Sequence, residues 1–339
     1  MAGRLSALFA GFCLVGLARR QVDDQRQCQR NAQAQRQARI IAAGTCIRRE
    51  LFALDPVLNE RVPFRVQQSA CTVTMLQAPS DTPPQHLQAP DFVPYGVFFS
   101  HERETVDSEY DGLAHDPRIN HTLTLDLDNY GNVTRHCTIA YARRYCAQQI
   151  DEQTLQYVMC ETTDFMPARD TAHNLLIGLA TDQRSYHIES GALDAPTLAA
   201  RYYAFDTIAA ACIKALAGPV SLYGASLAPG STAQLLSWQR TFYLEDSGAP
   251  TTSPLPAMQA LMERTETAAF ADTAITALFA ELPMPGGLTG FLSDQAGYRL
   301  APLEGLWWAP HDSIHYGNSS QFYRPLETRD AFAQNDTAR

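Results

Sequence analysis

The clearest alternation of apolar and polar positions lies within residues 121–141. Residues 121–128 read HTLTLDLD, in which leucines alternate strictly with threonines and aspartates. A period of two is typical of a strand that buries one face and exposes the other. Residues 129–132 follow as a turn, in which Gly131 is free to adopt a positive φ. Residues 133–141 return as a second strand, so this block predicts a β-hairpin.

Weaker β signals occur elsewhere in the chain. Residues 61–76, 95–100 and 239–244 are β-prone, residues 297–323 contain short β-prone pieces, and the proline-rich residues 78–94 predict an exposed loop. The spacing of these pieces favours a mainly β fold with antiparallel hairpins.

Helical signals are fewer. Residues 194–217 and 256–282 are rich in alanine, which has the highest helix propensity, so each predicts a helix. Residues 19–40 are rich in glutamine and arginine without an apolar stripe, which indicates a solvated helix or a disordered leader. The predicted fold therefore contains one or two short helical segments.

The chain begins with a signal-like stretch. Residues 5–18 form an apolar run that is too short for a membrane span of about 20 residues. The run suits the apolar part of a signal peptide, and it equally suits a buried helix or strand. No transmembrane span is predicted. At the other end, residues 331–339 form a polar tail.

Composition excludes two classes of protein. The 339 residues are 45% hydrophobic and 18% charged, which is incompatible with a wholly disordered chain. The net charge of −10 leaves no basic footprint for nucleic acid. The eight cysteines form no CxxC pair and no zinc-finger spacing, so we expect scattered free thiols or one or two incidental bridges.

Candidate metal and cofactor motifs fail on spacing. The segment from Asp126 to Gly131 resembles a calcium loop, but Tyr130 and Cys137 occupy the fifth and twelfth positions, where an EF-hand needs oxygen ligands. A hairpin turn is the better interpretation. No G-x-G-x-x-G or P-loop pattern occurs, and the segment at Ser226 lacks the second glycine of a nucleophile elbow. No cofactor is predicted.

Two groups keep alternative functions open. His101 with Glu102 or Glu104 could serve a secreted hydrolase, although solvated charges paired with Arg103 or Arg118 are the better interpretation. The pair Trp307–Trp308, with Tyr323, could hold a glycan or a protein surface in a secreted binding module. Strand alternation instead predicts one inward indole that anchors the core and one outward indole at the rim.

The longest set of motifs lies in residues 95–144. It contains H-x-R-E-T, D-P-R-I-x-H-T-L-T-L, D-x-Y-G-N-V and I-A-Y-x-R-R, and it resembles the middle/C-terminal region of the B component of insecticidal toxin complexes (Tc toxins). Weaker matches flank this block around residues 47–55, 161–165, 239–243 and 305–310. The resemblance therefore spans residues 45–330 and leaves out the leader, 1–44. The motif residues are His101, Arg103, Glu104, Tyr110, Asp116, Pro117, Arg118, His121, Leu123, Leu125, Tyr130, Gly131, Asn132, Trp307 and Trp308.

The resemblance implies a structural role. In that family the B and C components together build a hollow β-sheet shell with RHS/YD-type hairpins, which encloses the toxic C-terminal part of the C component. A β-propeller docks the shell on the pore-forming A component. The resemblance therefore implies a non-enzymatic shell segment of a secreted toxin complex, with the rest of a B component and an RHS-type C component as partners. The family's propeller and RHS-like remainder are not in this sequence, so we expect a truncated gene, a misassigned start or a diverged remnant.

The hairpin makes a testable prediction. Leu125 lies on the same strand face as Leu123 and Leu127, which we expect to be apolar and buried. Leu125→Asp should destabilise the protein by several kcal/mol, because it places an unpaired charge on that face. Thermal melting and solubility of the variant test this expectation. Wild-type-like behaviour would contradict the assigned strand register.

Overall fold

Strands are the main element of the structure. The computed structural model describes residues 32–52, 63–77, 96–110, 115–144, 150–170, 175–189, 193, 202–222, 229–252, 256–282, 286–318 and 323–329. The sequence predictions for the signal-like run, the proline-rich loop and the polar tail lie outside these residues. The chain divides into two units, one of residues 1–50 and 66–105 and the other of residues 51–65 and 106–339.

The described part of the first unit contains one helix and three neighbouring strands. Its elements are α1 (Ala32–Ala42), most of β1 (Arg48–Leu51), β2 (Arg65–Gln77) from Val66 onward and β3 (Val97–Glu109) as far as Thr105. The strand order is β1-β2-β3. Ser69 and Thr105 share a hydroxyl–hydroxyl hydrogen bond of 2.9 Å between β2 and β3.

The second unit holds the remaining elements. They are β4 (Arg118–Leu127), β5 (Val133–Ala140), a 3₁₀ helix (Asp151–Thr154), β6 (Tyr157–Phe165), β7 (Arg169–Asp170), β8 (Leu175–Leu176), β9 (Ala180–Ile188), α2 (Phe205–Ala217), β10 (Val220–Leu222), β11 (Ala233–Leu244), β12 (Pro250–Thr251), β13 (Met262–Ala271), α3 (Asp272–Leu278), α4 (Gly287–Gly290), a π-helical turn (Phe291–Gln295), β14 (Arg299–Ala301), β15 (Leu306–Trp308), β16 (Ser313–Tyr316) and β17 (Pro325–Arg329).

The sheet of this unit runs in the order β4-β5-β6-β9-β11-β13-β15-β14. Its described pairings along this order are antiparallel, while the short β10 lies parallel to β11. β16 pairs with β13 and β17. The predicted fold class, mainly antiparallel β with a few short helices, is confirmed.

The hairpin predicted from the alternation is β4–β5. Leu123 lies opposite Cys137, and irregular pairing around Asp126 precedes the turn. Gly131 has a φ of +86°, as the turn requires. Leu123 is fully buried, whereas Leu125 is half-buried and packs against the edge of the core.

Helix α2 covers one face of this sheet. Ile208, Cys212 and Ala215 recur at helical spacing and are buried against residues from several strands. The buried strand residues of this cluster are Leu123, Cys137, Ile139, Val158, Cys160, Tyr186, Ile188, Ala233, Leu235, Ala271 and Leu306. The prediction of a helix within residues 194–217 is confirmed for α2, while residues 194–201 lie outside the described part.

The helix predicted over residues 256–282 is wrong for much of its length. Residues 262–271 form β13, which pairs with β11 on one side and with β15 and β16 on the other. Ladder hydrogen bonds from both sides outweigh the local helix propensity of alanine there. Only the seven residues of α3 within the segment are α-helical. The strand predicted at residues 239–244 is confirmed within β11.

Candidate functional site

Asp116 joins the two open ends of the β4–β5 hairpin. Its side chain is almost completely buried. The Arg143 Nε donates to Asp116 Oδ2 at 3.0 Å, and Arg143 Nη2 donates to the Asp116 carbonyl oxygen at 3.0 Å. The backbone N–H of Arg144 donates to Oδ1 at 2.8 Å. The D-P-R-I and Y-x-R-R motifs, distant in sequence, are therefore joined by one buried group of hydrogen bonds. We call this group, formed by Asp116, Arg143 and the Arg144 backbone, the clasp.

His121 lies beside this clasp and connects the hairpin with the segment before α2. Its imidazole is fully buried, with Nδ1 3.1 Å from Tyr141 Oη. The backbone N–H of Tyr203 donates to the same oxygen at 3.0 Å. The ring of Tyr202 meets His121 edge-on at 5.6 Å. The buried histidine is thus held by aromatic neighbours, as a structural residue would be.

The hairpin turn is organised by Asp128. Its carboxylate accepts hydrogen bonds from the backbone N–H groups of Tyr130 and Asn132 and from the Asn132 side chain, at 2.8 to 2.9 Å. Burial alone would raise the pKa of Asp128, but these bonds together hold that pKa below its usual range. Tyr130 itself is exposed at the tip of the turn. The D-x-Y-G-N motif is therefore an Asx-type turn.

An open surface pocket of about 430 Å³ lies next to this turn. Asp128, Tyr130, Thr163, Phe165 and Ile177 are among its lining residues. None of the described hydrogen bonds joins a carboxylate of this lining to the hydroxyl of Thr134 or Thr163. Among the described residues, no group of three or more His, Cys, Asp or Glu side chains is arranged to hold a metal ion.

His101 on β3 does not build a hydrolytic centre with its acidic neighbours. Its ring stacks on Phe99 at 5.5 Å, and burial, with a smaller effect of Arg103, lowers its pKa. No described hydrogen bond or ion pair joins it to Glu102 or Glu104. Arg103 pairs with Glu104 at 2.9 Å, as expected.

Arg118, the alternative cation for these acids, has a described ion pair with a different glutamate. Arg118 lies 3.6 Å from Glu109, which stands at the end of the strand that precedes β4. Two other motif residues have structural surroundings: Pro117 is buried, and the Tyr110 N–H donates to the Phe64 carbonyl at 3.0 Å.

The prediction of one inward and one outward indole is wrong. Trp307 and Trp308 are each only 1% exposed. Trp307 Nε1 donates to Asp272 Oδ1 at 2.8 Å, and Trp308 Nε1 donates to Glu304 Oε2 at 2.9 Å. Adjacent strand residues point to opposite faces, so β15 is covered on both sides. Neither indole is available as a glycan platform.

Trp308 belongs to a row of arginines and indoles that the sequence did not reveal. The Arg240 guanidinium lies 4.2 Å from the Trp238 ring centroid and 4.4 Å from that of Trp308. Arg184 stacks on Trp238 at 4.2 Å. Asp182 accepts from Trp238 Nε1 at 2.7 Å. Each of these two cations is thus stacked on an aromatic ring, which stabilises it.

This row is hard to find in a sequence. Trp238 and Arg240 share one face of β11, and that spacing is visible. Their partners come from β9 and β15. Glu304, in the turn before β15, accepts a hydrogen bond of 2.6 Å from Arg240. The contacts between these side chains depend on how the three strands are aligned in the sheet, and the sequence gives no signal for that register.

Comparisons with known proteins agree with this architecture. Residues 38–193, a little under half of the chain, match the family described as the insecticide toxin TcdB middle/C-terminal region. The resemblance expected from the sequence is therefore confirmed over that range. No curated protein matches the chain.

Solved structures share the fold. The crystal structure of TcdB2–TccC3 is 22% identical with a TM-score of 0.62, and it covers 85% of this chain and 13% of that chain. TcdB2–TccC3 without its hypervariable C-terminal region is 24% identical, with a TM-score of 0.63 and the same coverage. The Photorhabdus luminescens Tc holotoxin pore is 22% identical, with a TM-score of 0.59, 84% of this chain and 13% of that chain. The chain thus spans about an eighth of the structures that it matches.

The buried clasp makes a first prediction for this site. Asp116→Asn should lower the free energy of unfolding by about 2–4 kcal/mol, because the buried Arg143 loses its charged partner. Urea unfolding measures the loss. Asp246→Asn, in an exposed turn, is the control and should stay within about 0.5 kcal/mol of wild type. Equal stabilities for both variants would contradict the clasp.

The turn predicts a pH-dependent effect. Since the pKa of Asp128 is lower in the folded chain, its contribution to stability is present above the unfolded value of about 4 and is lost as pH falls through the folded value. Asp128→Ala should cost about 1 kcal/mol at pH 7. Urea unfolding from pH 7 to pH 3 should show this difference narrow below about pH 4.

The matched control for this series is Asn129→Ala, an exposed neighbour in the same turn that does not titrate. Its stability difference from wild type should stay constant with pH. A difference for Asp128→Ala that is equally constant would refute the assigned role of the carboxylate.

Proposed function

We propose that the chain is a non-enzymatic structural part of a Tc-toxin B-like component. Its residues 45–330, between the leader 1–44 and the tail 331–339, form part of a β-sheet shell that encloses the toxic domain of a C component. This proposal rests on one observation, that the motif residues make structural contacts. Asp116, His121 and Asn132 form hydrogen bonds that hold the hairpin together.

The chemistry of the motif residues supports a role without catalysis. Asp116 is saturated by Arg143 and Arg144, and His121 is enclosed by tyrosines. A general acid or base must reach a substrate proton at hydrogen-bond distance. Neither group has a free path to a substrate in this arrangement. The match of residues 38–193 to the TcdB region supports the same conclusion.

The proposed partners are the remaining parts of a B component, an RHS-type C component and, indirectly, a pore-forming A component. The neighbouring structures TcdB2–TccC3 and the Tc holotoxin pore contain assemblies of this kind. The proposed location is a secreted toxin complex. None of the helices in the described part of the chain is long and apolar enough to cross a membrane.

Within the second unit, β14 and β17 offer edges for such partners. In the described sheet, β14 ends the strand order and β17 has β16 as its neighbour. Unpaired backbone groups on edge strands are ready to pair with another chain. The central strand β6 lies between β5 and β9, so its ladder is already filled on both sides. Shell partners should therefore affect the edges and leave β6 unchanged.

The test is co-expression of the full chain with a full-length RHS-type C component. We expect the two chains to co-elute in size-exclusion chromatography with light scattering. Hydrogen exchange should then slow at least tenfold at β14 or β17 in the complex, because new ladder hydrogen bonds protect the amides.

Strand β6 is the internal control and should exchange at the same rate in both states. Separate elution of the two chains, or a complex in which both edges exchange as fast as in the free chain, would refute the proposal.

A further inference from the structure

Three cysteines meet under helix α2. Cys137 on β5 and Cys160 on β6 are direct register neighbours. Cys212 projects from α2 onto them, with its Sγ 3.8 Å from Cys137 Sγ. All three side chains are fully buried. The sequence analysis expected scattered thiols or incidental bridges, whereas the fold brings these three into one cluster.

The surroundings of the cluster favour a reactive Cys212. Cys212 Sγ donates a hydrogen bond to Cys137 Sγ at 3.8 Å. The neighbouring Cys137 and Cys160 lower the pKa of Cys212, although burial opposes them. Arg135 lies on the same face of β5 as Cys137, and its buried Nε has no hydrogen-bond partner. Its positive charge also favours a Cys212 thiolate.

We propose that this cluster is a peroxide-sensitive site in which Cys212 is oxidised and closes a disulfide with Cys137. The proposal is independent of the shell function proposed above, since it concerns only the contact between α2 and β5.

The chemistry balances with hydrogen peroxide as the oxidant. The Cys212 thiolate attacks one peroxide oxygen, the O–O bond breaks, and the departing hydroxide takes a proton to become water. The resulting sulfenic acid is attacked by the Cys137 sulfur, an S–S bond forms, and a second water leaves with the hydroxyl group and the thiol proton. Two thiols are oxidised and one peroxide is reduced to two waters.

Burial selects the oxidant. The cluster has no exposed sulfur, so a bulky disulfide such as oxidised glutathione cannot reach it while α2 is in place. Hydrogen peroxide is close to water in size and enters packed sites more easily. Cys71, in contrast, lies near Glu102, and burial together with that charge raises its pKa. Its thiol is therefore a poorer nucleophile at neutral pH.

The expected consequence is a covalent link between α2 and the sheet. The bridge would join residues 75 positions apart in sequence. Closing a loop of that length restricts the unfolded chain, which stabilises the folded state. The third thiol, Cys160, remains beside the new bond and can exchange with it.

The first experiment uses the full wild-type chain. It is treated with hydrogen peroxide, alkylated and digested without reduction, and its cysteine peptides are mapped by mass spectrometry. We expect a linked Cys137–Cys212 peptide that forms at least tenfold faster in the folded chain than in urea. It should disappear after dithiothreitol. Retention of free Cys212 under these conditions, or equal rates in both states, would overturn the proposal.

Variants assign the roles of the three thiols. In a background in which Cys13, Cys28, Cys46, Cys71 and Cys146 are serine, peroxide should remove two of three thiols. Cys212→Ser should leave two free thiols, and Cys160→Ser should still form the bridge. A bridge between Cys137 and Cys160 at the wild-type rate in the Cys212→Ser variant would contradict the role of Cys212. Circular dichroism checks the fold, and the wild-type map decides the proposal if a variant does not fold.

Discussion

The packing of α2 on one face of the sheet is the contact on which the second unit depends. The strands from β4 to β11 present an apolar face that water would otherwise cover, and α2 buries it with Ile208, Cys212 and Ala215. Full burial of Ile208 alone contributes about 1.5–3 kcal/mol. The bond from the Tyr203 N–H to Tyr141 fixes the approach to the helix. Displacement of α2 would therefore release the hairpin as well as the core.

The motifs that resemble the toxin family have a structural explanation. Asp116 and Arg143 belong to different motifs, yet they form one buried ion pair with backbone bonds on both sides. An ion pair in such a place costs desolvation, which is offset only when every polar atom has a partner. The chain meets this condition at the clasp. The residues that carry the sequence resemblance are thus those that close the hairpin. They favour a structural role over a catalytic one.

The sequence predicted those elements whose structure depends on neighbouring residues in the chain. The β4–β5 hairpin was predictable because its alternation and its turn residues agree with each other. The strand β13 was not, because alanine favours a helix until strands on both sides fill its hydrogen bonds. The burial of both Trp307 and Trp308 was also not predicted. Strand alternation alone implies that one face of the sheet is exposed to solvent, whereas both faces are covered at β15. The cysteine cluster depends on where α2 packs across β5 and β6. The spacing of the cysteines along the chain does not predict that position.

The covered strand β15 has a consequence for how this sheet can grow. Because the indole of Trp307 is buried on one side and that of Trp308 on the other, neither face at this end has room for another layer. Continuation here is restricted to the direction of the backbone hydrogen bonds beyond β14, strand by strand. A sheet that grows in this way extends in width while its thickness stays constant.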